Sequence, residues 1–292
     1  MKIIEPSVKL WRQGDNADAH VARCARICYR KEAGNDEKLI EHLLKVNHHS
    51  MFRHKSVFAF AGIDKDIKTA IFKYKECPYI NFIIEDRIIY ISTNGNFMLD
   101  LAKKTDYYSR CLYEFITSFS CTANEFENKK VANEIMRYTF CIDTQVSTSR
   151  ELNRVSPNNI SEQSTRYVYE DGTICRPHWL NGYCITQELM GKYHVYKDGK
   201  EDDDINHKVW NFITACDSSF NTYKYLINAG LNRQDARGVL PFDTATRCAY
   251  TYNIKEWKHI IKLRADKRAH PNAQIIAGMI HDELIKLGYD FK

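Results

Sequence analysis

A strongly polar stretch at residues 150–167 limits what this chain can fold into more than any other feature. Its eighteen residues, Arg-Glu-Leu-Asn-Arg-Val-Ser-Pro-Asn-Asn-Ile-Ser-Glu-Gln-Ser-Thr-Arg-Tyr, include only three side chains suited to a core, those of Leu152, Val155 and Ile160. Charged side chains are almost never fully buried unless they are paired. Because Pro157 cannot continue a helix, we expect a short helix over 144–153 that ends in an irregular loop, where binding residues commonly lie.

The polar side chains of this stretch have the chemistry of an anion-binding site. It holds three arginines, whose planar guanidinium groups match phosphate oxygens, close to Ser and Thr hydroxyls. In an extended segment Glu162, Ser164 and Arg166 would share one face, and Gln163 and Thr165 the other. An anionic ligand such as a nucleotide is therefore one interpretation. A solvated loop with surface ion pairs is the other, and composition alone leaves both open.

A family resemblance favours the ligand. Arg150-Glu151-Leu152, then Glu162-Gln163, then Ser164-Thr165-Arg166-Tyr167 resemble the signature of the flavin-dependent thymidylate synthases, in which an Arg-His-Arg triplet runs into a Ser-x-Arg-Tyr ending. The triplet is altered in this chain. An ungapped alignment places Arg154-Val155-Ser156 at the position of the triplet. An alignment that allows a loop two residues longer places Leu152-Asn153-Arg154 at that position instead. Neither alignment restores the histidine.

A second region, at 235–266, repeats the resemblance independently. From its residues alone it is a loop leading into two helices, and its lone arginines, Arg237 and Arg264, either bind a ligand or pair with a nearby carboxylate. The order Ala-Arg-x-x-Leu-Pro, then Asn-x-Lys, then Leu-Arg-Ala-Asp is that of the same family, without gaps. One departure is Arg268-Ala269-His270, where the family usually has Ser/Ala-His-Ala-Gln or Asn-Arg-Ala-Gln.

The resemblance implies a reaction and a set of site residues. The reaction is reductive methylation of dUMP to dTMP, with FAD, NADPH and 5,10-methylenetetrahydrofolate as cofactors. Arg264 would be catalytic, stabilising the ionised N3 of the uracil. The dUMP-binding residues would be Arg150, Glu151, Glu162, Gln163, Ser164, Thr165, Arg166, Arg237 and Arg264. The FAD-binding residues would be His54, Ser56, Arg154, Val155, Ser156, Asn253, Lys255 and His259.

The implied chemistry is electrostatic rather than covalent. C5 of uracil is a weak nucleophile, and the cysteine-dependent thymidylate synthases activate it by attack of a thiolate at C6. Cys77-Pro78 reverses the Pro-Cys order of that nucleophile and lacks its surrounding motif. A fixed arginine beside N3 and O4 could instead stabilise an enolate-like ring, as an oxyanion hole does, while a reduced flavin supplies hydride.

Two alternative functions stay open at this point. One is a flavin- and folate-dependent hydroxymethylase acting on dUMP or dCMP, in which water rather than hydride ends the reaction. The other is a family member that binds a nucleotide or flavin without catalysis.

Three histidines in 48–54, ahead of a predicted strand at 56–62, also allow two interpretations. A metal site is one, although the cluster lacks carboxylate spacing. In the flavin-dependent synthases a similar His-x-Ser-x-x-x-His faces flavin and folate, which is why His54 and Ser56 are candidates for the flavin pocket. The ten scattered cysteines contain no Cys-x-x-Cys pair, so we predict no metal site.

Composition sets the remaining expectations. The 292 residues suffice for a sizeable core, and no apolar run reaches the roughly 18 residues of a membrane span. The N-terminus also lacks the apolar run of a signal peptide, so we expect a soluble, cytoplasmic protein. The net charge of +5 is spread along the chain, which suits small phosphate-bearing ligands better than nucleic acid.

Periodicity predicts a mixed α+β fold. Strands are expected at 1–12, where Pro6 interrupts, and at 56–62, 79–84, 87–92 and 136–143; helices are expected at 18–29, 36–46, 97–104, 107–118, 204–229 and 272–287. Residues 124–131 read as a linker, 173–189 as irregular, and 200–204 as an exposed turn.

The resemblance implies the arrangement of these elements. It implies a twisted, mostly antiparallel sheet with flanking helices, in a single catalytic domain over 1–292 with a family-variable insertion at about 64–134. It also implies a homotetramer with active sites between subunits.

Overall fold

The structure is a computed structural model that describes residues 1–154, 158–187, 193–201 and 207–291. The strands are β1 Lys2–Ile4, β2 Ser7–Trp11, β3 Ser56–Gly62, β4 Ile80–Glu85, β5 Ile88–Asn94, β6 Ser120–Cys121, β7 Arg137–Gln145, β8 Ile160–Glu162, β9 Thr173–Cys175, β10 Tyr183–Gln187, β11 Tyr193–Lys197, β12 Lys200–Glu201 and β13 Ala245–Asn253. The helices are α1 Ala17–Arg26, α2 Asp36–Lys45, α3 Lys65–Lys73, α4 Gly95–Ala102, α5 Tyr107–Ser118, α6 Ala123–Glu127, α7 Val146–Leu152, α8 His207–Asn228, α9 Arg233–Ala236, α10 Ile254–Arg264 and α11 Pro271–Lys286. Within this described part, no helix is long and apolar enough to cross a membrane.

The main sheet has the order β2-β7-β13-β8 and is antiparallel throughout. Its centre is the pair β7 and β13, which run in register from Arg137 opposite Asn253 to Gln145 opposite Ala245. The predicted mixed class with mostly antiparallel strands is confirmed. The parallel exception is the pair of β1 with β9, which form a separate two-stranded sheet.

Helices cover both faces of the main sheet. On one face Trp257 of α10 packs edge-on against Phe140 at 5.0 Å and Tyr252 at 5.1 Å, and the core continues into Ile276 and Ile280 of α11. On the other face Cys24 of α1 packs against Ala249 of β13. The side chains of β13 are therefore buried on both sides.

A second sheet, of order β4-β5-β3-β6, is built mostly from the segment predicted to be an insertion. It has its own core, in which Ile89 and Ile91 of β5 pack with Ile71 of α3 and Ile116 of α5. The opposite face joins the main core through Phe58, which stacks on a ring of α6 at 4.6 Å. The structure thus integrates this segment into the core.

One central element was missed. The region 235–266 was expected to be a loop leading into two helices, but β13 lies in it. A strand buried on both faces does not alternate between polar and apolar residues, so Ala-Thr-Arg-Cys-Ala-Tyr-Thr-Tyr-Asn gives no period-two signal. Its Thr and Tyr content was the available cue.

Two smaller predictions were wrong, and one helix was missed. The supposed linker at 124–131 contains α6, which begins with a capping box between Thr122 and Glu125. Residues 173–189, expected to be irregular, contain β9 and β10. The helix α3 was not predicted. Residues 202–204 of the exposed turn expected at 200–204 lie outside the described residues.

Candidate active site

Backbone hydrogen bonds fix the turn at residues 163–168, which we call the signature turn. β8 leads into it, with Glu162 opposite Cys248 of β13. The Gln163 N–H donates to the carbonyl of Arg247 at 2.9 Å, and the Ser164 N–H donates to the carbonyl of Cys28 at 3.1 Å. The turn is therefore anchored to the central strand on one side and to the end of α1 on the other.

Neutral donors surround the carboxylate of Glu162. The hydroxyl of Ser149 donates to Oε1 at 2.7 Å, the hydroxyl of Thr246 donates to the same oxygen at 3.3 Å, and the amide of Asn153 donates to Oε2 at 3.3 Å. The arrangement fixes this acceptor at the junction of α7, β8 and β13.

Arginines with neutral partners gather where the signature turn meets α9. Arg237 donates to the hydroxyl of Thr165 at 3.0 Å, Arg166 donates to the side-chain oxygen of Gln234 at 3.3 Å, and Arg233 donates to the carbonyl of Tyr167. All three arginines are exposed. None of these bonds neutralises a charge, so the edge of the turn is a cationic surface beside an open groove of about 510 Å³.

Arg264 lies in a different contact, at the end of α10. Its side chain is 14% exposed and its Nη1 is 3.8 Å from a carboxylate oxygen of Glu151, whose side chain is 30% exposed. Its Nε is buried and has no hydrogen-bond partner among the described residues. Buried polar atoms are usually hydrogen-bonded, so an unpartnered one marks a candidate ligand contact. The structure thus brings Arg166 and Arg237 together, while Arg264 lies beside α7 within the same chain.

The two other arginines predicted for the site also lie at α7. Arg150 is exposed, and its guanidinium lies 5.3 Å from the centre of the Phe242 ring. Arg154 follows the helix and is exposed, with its N–H 3.4 Å from the carbonyl of Glu151. Val155 and Ser156, predicted to bind flavin, lie outside the described residues.

The structure places His54 and Ser56, predicted for the flavin pocket, in the interior. Nδ1 of His54 is 2.7 Å from the hydroxyl of Thr251, and burial lowers the pKa of this histidine to about 3, which keeps it neutral. Its Nε2 faces the carbonyl of Ile160 without reaching good hydrogen-bond geometry. The hydroxyl of Ser56 accepts a bond from buried Arg137 at 3.3 Å.

The other predicted flavin residues lie at the start of α10. Asn253 is buried and caps the helix by accepting the N–H of Glu256 at 2.7 Å, and Glu256 bonds back to the Asn253 N–H at 2.8 Å. Lys255 and His259 are exposed on the surface of the same helix. Asn253 therefore has a structural role, whereas the other two are accessible to a ligand.

Two further residues have buried side-chain atoms without a partner among the described residues. Arg53 donates to the carbonyl of Asn158 at 2.9 Å, but its Nε is one of these atoms. Asn159, which follows the altered triplet in the sequence and with Asn158 could replace its donors, is fully buried, and its side-chain oxygen and nitrogen are the others. The Asn159 carbonyl accepts the N–H of Thr251 at 3.0 Å, and Thr251 is also the residue that contacts His54. Arg53 had no role in the sequence patterns.

The buried thiols are poor nucleophiles. Burial raises the pKa of Cys141, Cys175 and Cys216 to about 12, and raises that of Cys248 well above its ordinary value. Among the described residues no group of three His, Cys, Asp or Glu side chains is arranged to hold a metal ion.

Comparison with known proteins identifies the family. The sequence model of the family described as "Thymidylate synthase complementing protein", Thy1, matches residues 128–287, which is more than half of the chain. The chain belongs to this family. The match contains the signature turn, Arg237 and Arg264, and leaves out His54 and Ser56.

Thy1 relatives with curated descriptions agree with this assignment. The chain is 27% identical over 141 residues to the flavin-dependent thymidylate synthase of Kosmotoga olearia, covering 47% of this chain and 57% of that protein. It is 26% identical over 151 residues to the enzyme of the same description from Pyrococcus furiosus, covering 51% and 54%. The chain thus spans about half the length of the curated relatives it matches.

Among solved structures, the chain is similar to the UMP/dUMP methylase PolB from Streptomyces cacaoi bound with 5-Br UMP. The identity is 18% and the TM-score 0.45, with 98% of this chain and 92% of that one covered.

Proposed function

We propose that this Thy1 protein is a flavin-dependent thymidylate synthase that converts dUMP to dTMP, with 5,10-methylenetetrahydrofolate as the carbon donor and NADPH as the reductant. The observation that carries the proposal is Arg264. Its side chain is mostly buried, its Nε has no partner among the described residues, and the carboxylate nearest to it there is 3.8 Å away on the 30% exposed side chain of Glu151. A cation kept in this state is available to an anionic ligand.

The nucleotide would bind along the signature turn. Arg166 and Arg237 carry uncompensated charge at its edge and suit the phosphate, while Ser164 and Glu162 suit the sugar hydroxyls. Gln163, Thr165, Arg150 and Glu151 complete the proposed dUMP site. Because Arg264 does not contact Arg166 or Arg237 within the described part of one chain, we propose that a second copy completes each site, as in a homotetramer with active sites between subunits.

Arg264 would activate the base. A positive charge fixed beside N3 and O4 of uracil stabilises the anionic, enolate-like ring and makes C5 nucleophilic, so that no cysteine has to attack C6. C5 would then bond to the methylene carbon of the folate as the first of that carbon's two bonds to nitrogen breaks, and the proton lost from C5 would pass to the freed nitrogen. Addition of a hydride to the same carbon would break the second carbon–nitrogen bond, whose nitrogen takes a proton from solvent, leaving dTMP and tetrahydrofolate with NADPH oxidised to NADP⁺.

FAD fits the unpartnered buried atoms beside the altered triplet. Arg53 and Asn159 would supply a guanidinium and an amide in place of the missing triplet members, with Lys255 and His259 at the exposed rim. Neutral His54 would hold Thr251, and thereby the carbonyl of Asn159, in position. When bound, the reduced flavin supplies the hydride of the reaction. The role of the protein is to orient the reactants and exclude water.

The mass of the nucleotide product tests the proposed function. Purified protein is incubated with dUMP, methylenetetrahydrofolate, FAD and NADPH, and the nucleotide is analysed by mass spectrometry. We expect a product heavier than dUMP by one CH₂ unit. A product heavier by CH₂O would establish the hydroxymethylase instead, and unchanged dUMP would leave a binding protein. We also propose that the protein acts in the cytoplasm, where these reactants are available.

A further inference from the structure

A cleft of about 500 Å³ lies on the α1 face of the main sheet, and Gln163 is the one residue proposed to bind dUMP that also lines it. We call it the cationic cleft because five basic side chains line it, those of Lys2, Arg23, Arg30, Lys31 and Arg247. Two carboxylates, Glu32 and Asp143, also line it. This is a surplus of three positive charges in one cavity of a chain whose net charge is +5.

The ion pairs of these side chains do not neutralise all of the positive charge in the cleft. Arg247 donates twice to Asp143, at 2.7 and 3.0 Å, which neutralises that pair. Arg30 is 3.2 Å from Asp171, but both side chains are about half exposed, so the pair is weak and screened. Arg23 and Lys31 are exposed, and no ion pair of theirs occurs among the described residues.

Arg23 also offers a flat surface. Its guanidinium lies 3.7 Å from the centre of the Trp11 ring, which is stacking distance. The ring covers one face of the guanidinium, and Arg23 as a whole is exposed. Nucleotide bases stack on arginine planes of this kind. The cleft therefore combines a stacking surface with several phosphate-binding cations, at a volume typical of small-molecule sites.

The cationic cleft shares backbone with the signature turn. Gln163 lines the cleft, whereas its neighbour Glu162 points towards α7 on the opposite face of the sheet. Two carbonyls that hold the turn belong to this side, those of Arg247 and Cys28. A ligand in the cleft would thus contact the turn at Gln163, from the face of the sheet opposite to the one that Glu162 faces.

We propose that the cationic cleft is a second ligand site, for a molecule that carries a chain of phosphates, and that a nucleoside triphosphate fits it best because Arg23 can stack on the base. The site stands on its own geometry and does not depend on the proposed methylation of dUMP. Occupation of the cleft stabilises the signature turn and so changes the affinity of the turn for its own ligand.

Calorimetric titration tests this site. ATP and inorganic tripolyphosphate are titrated into the full-length protein without divalent metal ions, both with and without excess dUMP. We expect both to bind, ATP more tightly, and binding to persist with dUMP present. Each lost charge-assisted contact weakens binding roughly tenfold, so Arg23→Gln/Lys31→Gln should bind between about tenfold and a hundredfold more weakly. The matched control, Lys68→Gln/Lys103→Gln, removes two exposed charges elsewhere and should bind as wild type does.

Two results would overturn the proposal. If dUMP competitively displaces ATP, the cleft belongs to the substrate site. If the wild-type protein binds neither probe, or if the control variant weakens binding as much as Arg23→Gln/Lys31→Gln, no site exists there. Because Arg23 and Lys31 are exposed, circular dichroism should show unchanged folding in the variants. The titrations without dUMP test the cleft even if the protein neither binds nor methylates dUMP.

Discussion

Replacing Arg264 by Gln should abolish most turnover while leaving the fold and the flavin in place. Removing one donor that stabilises charge in a transition state lowers kcat by about 10² to 10³, or roughly 2.7–4 kcal/mol. The effect on folding should be below about 1 kcal/mol, because the ion pair with Glu151 is long and that carboxylate is 30% exposed. Loss of a buried, unpartnered Nε also relieves a desolvation cost.

The assay separates these effects. Turnover is measured as dTMP formed, folding as the urea midpoint, and flavin content as visible absorbance of the purified protein. Arg268→Gln is the matched control, because Arg268 follows the same helix but is 91% exposed and bonds only to Asp266 among the described residues. Equal turnover in the two variants, or loss of flavin together with turnover in Arg264→Gln, would refute the assignment of Arg264 as the activating group.

Three further predictions follow from buried groups. Arg53→Gln should weaken flavin binding at least about tenfold in a fluorescence titration, whereas Arg110→Gln, at an exposed position, should not; equal affinities would disprove the role of Arg53. Burial lowers the pKa of His20 to about 4 and of His54 to about 3. The unfolded chain therefore binds more protons than the folded protein below pH 6.5, and the free energy of unfolding should fall by about 2 kcal/mol per histidine between pH 7 and 5. A urea midpoint that stays constant over that range would contradict this. Trp257→Ala should cost about 3–5 kcal/mol of unfolding free energy, since the ring is fully buried between two aromatic neighbours, and a loss below 1 kcal/mol by denaturant titration would contradict the packing.

Several elements were predicted from the sequence. The periodicity of 107–118 predicted α5 with the bounds that the structure has, and 56–62 likewise predicted β3. Pro6 interrupts the first strand as expected and separates β1 from β2. The buried residues of α5 follow a helical spacing, and β3 is a short apolar run, so both carry a local signal.

The central strand β13 could not be found in the same way. β13 lies at the centre of the main sheet, and its residues contact α1 on one side and α10 on the other. Its burial is a property of the assembled fold, and no period in nine residues encodes it.

Some features of the candidate site could likewise be predicted from the sequence, and others could not. The signature turn and the pairing of Arg237 with Thr165 lie within motifs that a sequence can display. Arg53 could not be recognised, because it meets Asn158 across 105 residues of chain, and an unpartnered atom is defined only by what the fold places around it. The cationic cleft likewise combines residues from both ends of the sequence.

A crystal structure of the protein with dUMP tests the central claim most directly. We predict one nucleotide whose uracil lies against Arg264 and whose phosphate is bound by Arg166 and Arg237. Where one copy of the chain does not bring these side chains together, a second copy supplies them. A nucleotide bound away from these side chains, or three arginines on unrelated surfaces of the whole assembly, would contradict it.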